Sequence, residues 1–475
     1  MSLKTSNIIS NLFGLSDNSQ RKIYYGLGLS VSLYILFPSL HSIFQKLLSQ
    51  GEFKNSDGRN DRKTTGFVNS ANDCYANSSI QALVSLDHLT EYLNKVLKDV
   101  CTKDDTLGQL KRDFPMHFML ADILQKLQKP ISESETISIK TVKQTLEYIF
   151  KVKISREQND AQEFTNAVLE SLKQEYEVFS KTSESRLSFP FQGKIGTQLV
   201  CLNCHGTSEM KEQEFLIYQT VAPQKYSTTL KSLLSEDQTD IVSDYKCLRC
   251  LTRTILANEK ATTNNQQSVH LDYLTKNYES LLINSDIPEE VMNYIKMYNK
   301  NGCVPYTKGS QVIKRSVVVN SPNELIIHIS RSMFNGSSTT RNGCRVSFDE
   351  TIELPEQQIQ DNKCVSIKKI SYRLRSVVKH TGTHYQGHYQ CFRHKPNLVR
   401  DKETAKIVNL SPTVMLPPDQ VGMPLTKIDK KKYKRIKSVV TKNFWKISDS
   451  SVEETNVNSV MNETKYVYML YYERV

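Results

Sequence analysis

Two C-x-x-C pairs constrain the fold of this chain more than any other feature of its sequence. The pairs are Cys201-Leu202-Asn203-Cys204 and Cys247-Leu248-Arg249-Cys250, and 42 residues separate them. Four thiolates complete the tetrahedral shell of a Zn²⁺ ion and leave no open position, so such a site is structural. We therefore expect one structural Zn²⁺ on Cys201, Cys204, Cys247 and Cys250. A redox motif or four free thiols are the alternatives.

The composition limits the class of protein. The chain has 475 residues, of which 38% are apolar and 24% charged, which excludes global disorder and a polytopic membrane protein. It contains ten cysteines, whereas a secreted disulfide framework is expected in a much shorter chain, so we expect a reducing compartment. The net charge of +12 favours anionic neighbours without choosing among membrane surfaces, acidic proteins and nucleic acid.

An apolar stretch near the N-terminus predicts a membrane anchor. The 22 residues from Ile23 to Phe44 carry no charge, and a helix of that length spans about 30 Å, the thickness of a bilayer core. A signal peptide and a buried core helix are the alternatives. Positive charges are more numerous after the stretch than before it, which places the C-terminal side in the cytosol.

Polar segments divide the rest of the chain. Residues 45–65 predict a polar tether, and the stretches near 255–310 and 396–440 are typical of insertions. The second contains the basic run at 430–437. A solvated loop explains this run, with binding to anionic lipid or RNA as the alternative.

The segment from Gly66 to Leu83 changes from turn-rich to helical. Ile80, Leu83 and Val84 follow helical spacing, so Cys74 falls at a loop-to-helix junction. The partial positive charge and free N–H groups of a helix N-terminus lower a thiol pKa, as a cysteine nucleophile requires. From these residues alone, a buried structural cysteine is the alternative.

This segment resembles the cysteine box of the ubiquitin-specific proteases. The matching positions are Gly66, Asn69, Asn72, Cys74, Tyr75, Asn77, Ser78, Ile80 and Gln81. The resemblance implies that Cys74 is the nucleophile and that Asn69, with the backbone N–H of Cys74, stabilises the oxyanion. Ala71, Asp73 and Ala76 depart from the pattern. We expect the negative charge of Asp73 to oppose ionisation of the thiol.

A histidine-rich segment at 372–394 predicts a strand, a loop between Gly382 and Gly387, and a second strand. His388 follows the loop directly. The segment resembles the histidine box of the same family, which implies that His388 is the general base and that His380 belongs to the first strand. We expect His384 and His394 at the surface.

The run Phe444-Trp445-Lys446-Ile447-Ser448-Asp449 resembles the segment that carries the third catalytic residue of the family. Ser448 occupies that position and Asp449 follows it. We expect Ser448 to accept the Nδ1–H of the imidazole without adding charge, which leaves the thiol pKa higher than a carboxylate would. The alternative is that Asp449 orients His388. Residues 466–475 resemble the closing strand of the family.

Residues 156–164 resemble the Q-Q-D-A-Q-E-F box of the family. Apolar residues at helical spacing predict one amphipathic helix through Ala161, Phe164, Val168, Leu169 and Leu172. The resemblance implies that Asp160 and Glu163 bind the arginine-bearing tail of ubiquitin. It also places the paired cysteines in a fingers subdomain, around 190–255, that grips the globular part of ubiquitin.

These motifs occur in the order typical of the family, so we expect an α+β, papain-like cysteine protease with thumb, palm and zinc-ribbon fingers. The predicted organisation is an N-terminal tail (1–22), one transmembrane helix (23–44), the tether (45–65) and the catalytic domain (66–475). The expected activity is cleavage after the C-terminal glycine of ubiquitin on membrane-associated proteins. The alternative is a membrane-tethered, ubiquitin-binding pseudoenzyme or scaffold.

The Cys-His-Ser arrangement and the apolar stretch together resemble the membrane-anchored branch of the family. The resemblance implies a single-pass protein of the mitochondrial outer membrane with a cytosolic catalytic domain, or alternatively of the endoplasmic reticulum. We expect ubiquitin, ubiquitinated proteins and the membrane as partners, and no nucleic acid.

Overall fold

The structure is a computed structural model. It describes residues 61–475, except 71, 101–105, 130, 132, 156, 183–186, 237–238, 262–267, 335, 384–385 and 417–431. The chain divides into two units, Met1–Arg59 and Asn60–Val475, and the described residues belong to the second. The predicted tail and apolar span, most of the tether and the first two residues of the basic run lie outside the described residues.

Helices predominate in the first third of the described chain. In chain order they are α1 (Cys74–Leu83), α2 (Asp87–Val100), α3 (Thr106–Asp113), α4 (Pro115–Leu127), α5 (Lys140–Phe150), α6 (Ala161–Thr182), α7 (Leu230–Glu236), α8 (Leu248–Ala261), α9 (Val269–Asn277), α10 (Glu289–Met297), α11 (Lys437–Thr441) and α12 (Val457–Met461).

Helix α1 begins at Cys74, as the sequence predicted, and all ten of its residues are buried. Small side chains let it approach α6 closely, so the hydroxyl of Ser79 donates to the carbonyl of Ala161 at 3.1 Å. The edge of the Tyr75 ring packs against Phe164 at 5.5 Å between centroids. The predicted amphipathic helix is confirmed as α6, whose apolar face is buried against α1 and α4.

The strands form the rest of the protein. They are β1 (Gly66–Val68), β2 (Thr136–Ser138), β3 (Gly193–Cys201), β4 (Lys211–Phe215), β5 (Ile217–Val221), β6 (Ser227–Thr229), β7 (Thr239–Tyr245), β8 (Ser310–Asn320), β9 (Glu324–Ser330), β10 (Ser332–Phe334), β11 (Thr339–Arg341), β12 (Arg345–Ser347), β13 (Thr351–Gln360), β14 (Lys363–Gly382), β15 (Gly387–His394), β16 (Leu398–Asp401), β17 (Ile407–Asn409), β18 (Tyr433–Arg435), β19 (Phe444–Ser448), β20 (Ser451–Thr455) and β21 (Val467–Arg474).

Most of these strands form one large mixed sheet, and the others form small sheets of two or three strands. Its main path runs β20-β19-β15-β14-β13-β8-β3-β4, and β21 connects β14 to β9. Neighbouring residues on the central strands point to opposite faces, as the pleat requires. Val378 and Met469 therefore join the hydrophobic core that contains α1 and α6, whereas Val377 and Leu470 join a second core on the other face. The sheet thus positions β15 and β19 beside the N-terminus of α1.

A helical subdomain lies between β7 and β8. The predicted polar insertion near 255–310 contains α9, α10 and the second half of α8. Apolar residues of these helices form a separate small core around Leu251, Ile255, Leu274 and Ile295. The first cysteine pair begins with Cys201 at the end of β3. The second begins with Cys247, directly before α8, the first helix of this subdomain.

The predicted membrane location requires a correction. Within the part of the chain that the structure describes, no helix combines the length and the apolar character needed to cross a bilayer. The predicted span at residues 23–44 lies outside that part. A single-pass location in the mitochondrial outer membrane, and the alternative in the endoplasmic reticulum, are therefore withdrawn.

Candidate active site

Cys74 lies at the N-terminus of α1 and is only 3% exposed. Burial raises the pKa of its thiol, and the negative charge of Asp449 raises it further. Hydrogen bonds from the backbone N–H groups of Tyr389 and Tyr75 act in the opposite direction. Helix α1, which begins at Cys74, packs against β15, which carries the candidate base His388.

His388 and Ser448 lie close together because β15 pairs with β19. The imidazole Nε2 is 2.8 Å from the Ser448 hydroxyl oxygen. This corrects one detail expected from the sequence, since Nε2 rather than Nδ1 contacts the third position. The second ring nitrogen, Nδ1, takes no part in this contact. The ring is 39% exposed, so it reaches the surface of the cleft.

Asp449 occupies the tight turn between β19 and β20 with a φ of +51°. Its carboxylate accepts hydrogen bonds from the side-chain amides of Asn77 at 2.7 Å and Asn69 at 3.0 Å. Its backbone carbonyl accepts from the N–H of Phe67 at 3.0 Å. Asp449 Oδ2 is 4.0 Å from His388 Nε2, too far for a hydrogen bond. The charge of Asp449 thus acts on the thiol and the asparagines, whereas Ser448 contacts the imidazole.

Both ends of the Asn69 side chain are engaged. Its Oδ1 accepts from the backbone N–H of Asp73 at 3.1 Å, while one N–H of its amide donates to Asp449. The second N–H of an amide is a further donor. Asn69 is therefore held directly beside the start of α1, with one donor left for a ligand.

Asp73 does not act as the sequence suggested. Its carboxylate forms an ion pair with Lys143 of α5 at 2.8 Å, and the Lys143 ammonium also lies 5.9 Å from the centre of the Tyr75 ring. The Asp73 charge is thereby offset, and the carboxylate that raises the pKa of Cys74 is that of Asp449. Neither Lys143 nor Asn77 was assigned a role from the sequence, because their partners lie 70 and 372 residues away.

Asp160 caps the N-terminus of α6. Its Oδ1 accepts from the backbone N–H groups of Gln162 at 2.6 Å and Glu163 at 3.3 Å. Its Oδ2 accepts from the hydroxyl of Tyr468 and, at 3.4 Å, from that of Tyr389. Both oxygens of the Asp160 carboxylate thus accept hydrogen bonds from groups of the protein itself. The sequence had predicted that this carboxylate binds a ligand.

Glu163 lies in the first turn of α6 and lines a cavity of about 330 Å³. Asp160, His328 and Tyr468 are among the other residues that line it. Gln158, also in its wall, holds the loop before the candidate base, because its amide donates to the carbonyl of Gly387 and accepts from the N–H of Gly387 at 3.0 Å. Gln158 belongs to the box quoted from the sequence, but no role was assigned to it.

The other histidines of the 380–394 segment are in different surroundings. His380 stacks on Tyr389 with 4.2 Å between ring centroids. His394, expected at the surface, is half-buried against Phe444, and burial lowers its pKa to about 3. His384 lies outside the described residues.

The four predicted ligand cysteines form one cluster. Their sulfur atoms lie within 4.8 Å of one another. Cys201 Sγ is 3.6 Å from Cys250 Sγ, and Cys204 Sγ is 3.7 Å from Cys247 Sγ. The C-x-x-C pairs thus meet across 42 intervening residues, and the cluster can hold a metal ion.

Comparison with known proteins agrees with this architecture. Residues 65–472 match the protein family described as ubiquitin carboxyl-terminal hydrolase. Ubiquitin carboxyl-terminal hydrolase 16 of Saccharomyces cerevisiae is 35% identical over an alignment of 490 positions. The alignment covers 96% of this chain and 97% of the relative. Ubiquitin carboxyl-terminal hydrolase 11 of Schizosaccharomyces pombe is 22% identical, with 85% of this chain and 82% of the relative covered.

Solved structures show the same fold. The SAGA Ubp8/Sgf11/Sus1/Sgf73 DUB module bound to ubiquitin aldehyde has a TM-score of 0.51 and 15% identity, and the match covers 93% of this chain and 76% of that chain. The structure of this module bound to monoubiquitin gives the same TM-score over 92% and 75%. By its match over residues 65–472 and its 35% identity to the yeast relative, the chain belongs to the ubiquitin carboxyl-terminal hydrolase family and is a deubiquitinase, a ubiquitin-specific cysteine protease.

Proposed function

We propose that Cys74 is the nucleophile and His388 the general base that hydrolyse the bond after the C-terminal glycine of ubiquitin. The observation that carries this proposal is the packing of α1, which begins at Cys74, against β15, which carries His388 hydrogen-bonded to Ser448. His388 accepts the thiol proton, and the thiolate attacks the glycine carbonyl carbon. The leaving amine takes the proton from His388, and water then hydrolyses the thioester.

Ser448 is proposed to orient the base. The 2.8 Å contact of its hydroxyl with Nε2 fixes the plane of the imidazole and directs Nδ1 away from β19. A hydroxyl adds no full negative charge, so it stabilises the imidazolium less than a carboxylate does. The thiolate–imidazolium pair is therefore less favoured than in an enzyme with aspartate at this position.

The oxyanion is proposed to bind at the start of α1. The backbone N–H of Cys74 lies at the N-terminus of the helix, where backbone donors are not used within the helix. The free donor of the Asn69 amide is the second contact, and Asp449 fixes the orientation of that amide. Donors that are already oriented stabilise developing negative charge without reorganisation.

The cavity lined by Glu163 is proposed to receive the tail of ubiquitin. Arginine side chains of the tail are suited to pair with the Glu163 carboxylate. Asp160 supports this surface indirectly, because it caps α6 and fixes the hydroxyls of Tyr389 and Tyr468 at the cavity wall. The ubiquitin aldehyde bound in the similar SAGA module supports ubiquitin as the partner.

The cysteine cluster is proposed to hold one structural Zn²⁺ in the fingers, around 190–255. Zn–S bonds of about 2.3 Å place the sulfur atoms of a tetrahedral site about 3.8 Å apart. The S–S distances of 3.6 and 3.7 Å fit this spacing. Zn²⁺ supplies a cross-link between the end of β3 and the start of α8, and the chain around it presents the surface for the globular part of ubiquitin.

The catalytic domain is proposed to span residues 66–475, a range supported by the family match at 65–472.

The test of the whole proposal uses the full chain and a ubiquitin that carries a C-terminal vinyl electrophile. Peptide mapping should find the adduct on Cys74, and Cys74→Ala should abolish both labelling and cleavage of ubiquitin–fluorophore. Cys364→Ser, at an exposed cysteine, is the matched control and should react like the wild type. An adduct on another cysteine would refute the assignment.

A further inference from the structure

A second cluster of metal-ligating side chains lies outside the proposed active site, where three elements meet. His88 is in the first turn of α2, Glu324 begins β9, and Glu473 is near the end of β21. One nitrogen of His88 and one oxygen of each carboxylate lie within 4.8 Å of one another. The proposed hydrolytic mechanism uses none of these residues.

The two glutamates are direct neighbours in the sheet. Glu324 and Glu473 pair across the antiparallel strands β9 and β21, and both are buried, at 0% and 8% exposure. Like charges directly opposite each other destabilise a sheet. The N-terminus of α2 offsets part of this repulsion, because the N–H of His88 donates to Glu473 at 3.0 Å and that of Leu89 donates to Glu324 at 3.3 Å.

The charges around the cluster do not balance. Arg375 forms ion pairs with Asp87 and, at 2.7 Å, with Glu473, so one guanidinium offsets only part of the combined charge of Asp87, Glu324 and Glu473. In the described part of the chain, Glu324 Oε2 has no hydrogen-bond partner. A buried carboxylate in such surroundings must bind either a proton or a cation.

The donor atoms have the spacing of a coordination shell. His88 Nδ1 is 3.4 Å from Glu473 Oε1 and 3.7 Å from Glu324 Oε1. Ligands of a tetrahedral ion with bonds of about 2.1 Å lie about 3.4 Å apart. Nδ1 has no hydrogen-bond partner among the described residues, and the imidazole is 35% exposed. An ion can therefore enter past His88 to reach the buried carboxylates.

We propose that His88, Glu324 and Glu473 bind one divalent transition-metal cation of the Zn²⁺ type. One imidazole nitrogen and two carboxylate oxygens suit Zn²⁺ or Co²⁺, whereas Ca²⁺ and Mg²⁺ prefer oxygen ligands throughout. The two charges of the ion offset those of the two glutamates. The ion also joins the start of α2 to β9 and β21, and so acts as a second cross-link, distinct from the cysteine cluster.

The test uses the full chain titrated with Co²⁺, read by absorption spectroscopy and by metal content. Co²⁺ on nitrogen and oxygen ligands gives weak visible bands, whereas Co²⁺ on the four cysteines gives strong sulfur-to-metal bands, which keeps the two sites distinguishable. We expect two equivalents in the wild type and one in His88→Ala. Removing even an outer-shell partner of a metal site costs about 10- to 100-fold in affinity, so losing the His88 ligand should cost at least about 100-fold.

Glu324→Gln separates metal binding from folding. The amide has the shape of the carboxyl group but no charge, so the variant should be at least as stable as the wild type when both carry one equivalent of Zn²⁺ on the four cysteines and no further metal. Added Co²⁺ should raise the melting temperature of the wild type and leave that of the variant unchanged. His270→Ala on α9 is the matched control and should behave like the wild type. A single equivalent in the wild type, or equal Co²⁺ binding by all variants, would overturn the proposal, whether or not the chain cleaves ubiquitin.

Discussion

The imidazole Nε2 of His388 lies 2.8 Å from the hydroxyl of Ser448, so a neutral oxygen rather than a carboxylate hydrogen-bonds this ring. The carboxylate of the following residue, Asp449, stays 4.0 Å from the same nitrogen and is held by two asparagine amides. The two neighbouring side chains therefore have separable effects, one on the orientation of the imidazole and one on the charge near the thiol.

Ser448→Ala should lower kcat/KM for ubiquitin–fluorophore by roughly 10- to 100-fold, about 1.4–2.8 kcal/mol of barrier. The loss arises because the imidazole is no longer held in one orientation. Ser451→Ala is the control, because Ser451 pairs with Ser448 across the hairpin but is exposed. An unchanged Ser448→Ala enzyme beside an inactive Asp449→Ala enzyme would instead assign the orienting role to Asp449.

Asp449→Asn should lower the pKa of the Cys74 thiol. Burial raises this pKa first and the Asp449 charge raises it next, so removing the charge favours the thiolate at lower pH. The pH dependence of alkylation by iodoacetamide measures the midpoint, which should move to lower pH. Asp73→Asn is the control and should leave the midpoint almost unchanged, since Lys143 already offsets that charge. A midpoint fixed at the wild-type value in Asp449→Asn would contradict the assignment.

Glu163→Gln should raise KM for ubiquitin substrates by roughly 10- to 150-fold and leave kcat nearly unchanged. The reason is the loss of a charge-assisted contact to an arginine, of about 1.5–3 kcal/mol, made equally in the ground and transition states. Steady-state kinetics with full-length ubiquitin–fluorophore gives both constants. Glu170→Gln on the same helix is the control. A fall in kcat at constant KM would place Glu163 in the chemistry rather than in binding.

Asp160→Ala should destabilise the protein. The variant loses the cap of α6, which contributes about 1 kcal/mol, and leaves the hydroxyls of Tyr389 and Tyr468 without their shared acceptor. Chemical denaturation should give a lower free energy of unfolding. Asp160→Asn retains an N-cap oxygen and should recover part of the loss. Full stability of Asp160→Ala would show that α6 does not depend on this cap.

Cys201→Ser and Cys247→Ser should each remove one equivalent of zinc and lower thermal stability together, because closure of such a site couples metal binding to folding. Metal analysis and a melting curve on the same sample test this. Cys303→Ser is the control, since Cys303 lies outside the cluster. A folded, active protein that contains no zinc would refute the structural role.

The features predictable from the sequence are those encoded locally. The start of α1 at Cys74, the loop–strand junction before His388 and the buried face of α6 each follow from neighbouring residues within one segment. The fold could be anticipated because several such segments occur in the order of a known family. Local patterns of this kind predict the structure well, because the residues that form each feature are close together in the sequence and agree with the global fold.

The features that escaped prediction depend on distant pairs. Asp73 meets Lys143, and Asn77 meets Asp449, only through tertiary packing. The use of Nε2 rather than Nδ1 by His388 follows from the way β19 lies beside β15. Asp160 was expected to face a ligand, whereas two tyrosine hydroxyls from other strands occupy its carboxylate. The residues that neighbour each partner in the sequence give no signal from which these contacts could be predicted.

The distance along the chain between Asn69 and Asp449, 380 residues, has a consequence for biosynthesis. Cys74, the proposed nucleophile, leaves the ribosome well before the turn that fixes Asn69 and the hydroxyl that contacts His388. Strand β21, which is bonded to β14 and β9 in the middle of the sheet, follows later still. A nascent chain therefore exposes Cys74 before its proposed base, its proposed orienting group and the central strand β21 have been synthesised, and the proposed site can be completed only after Asp449 has followed.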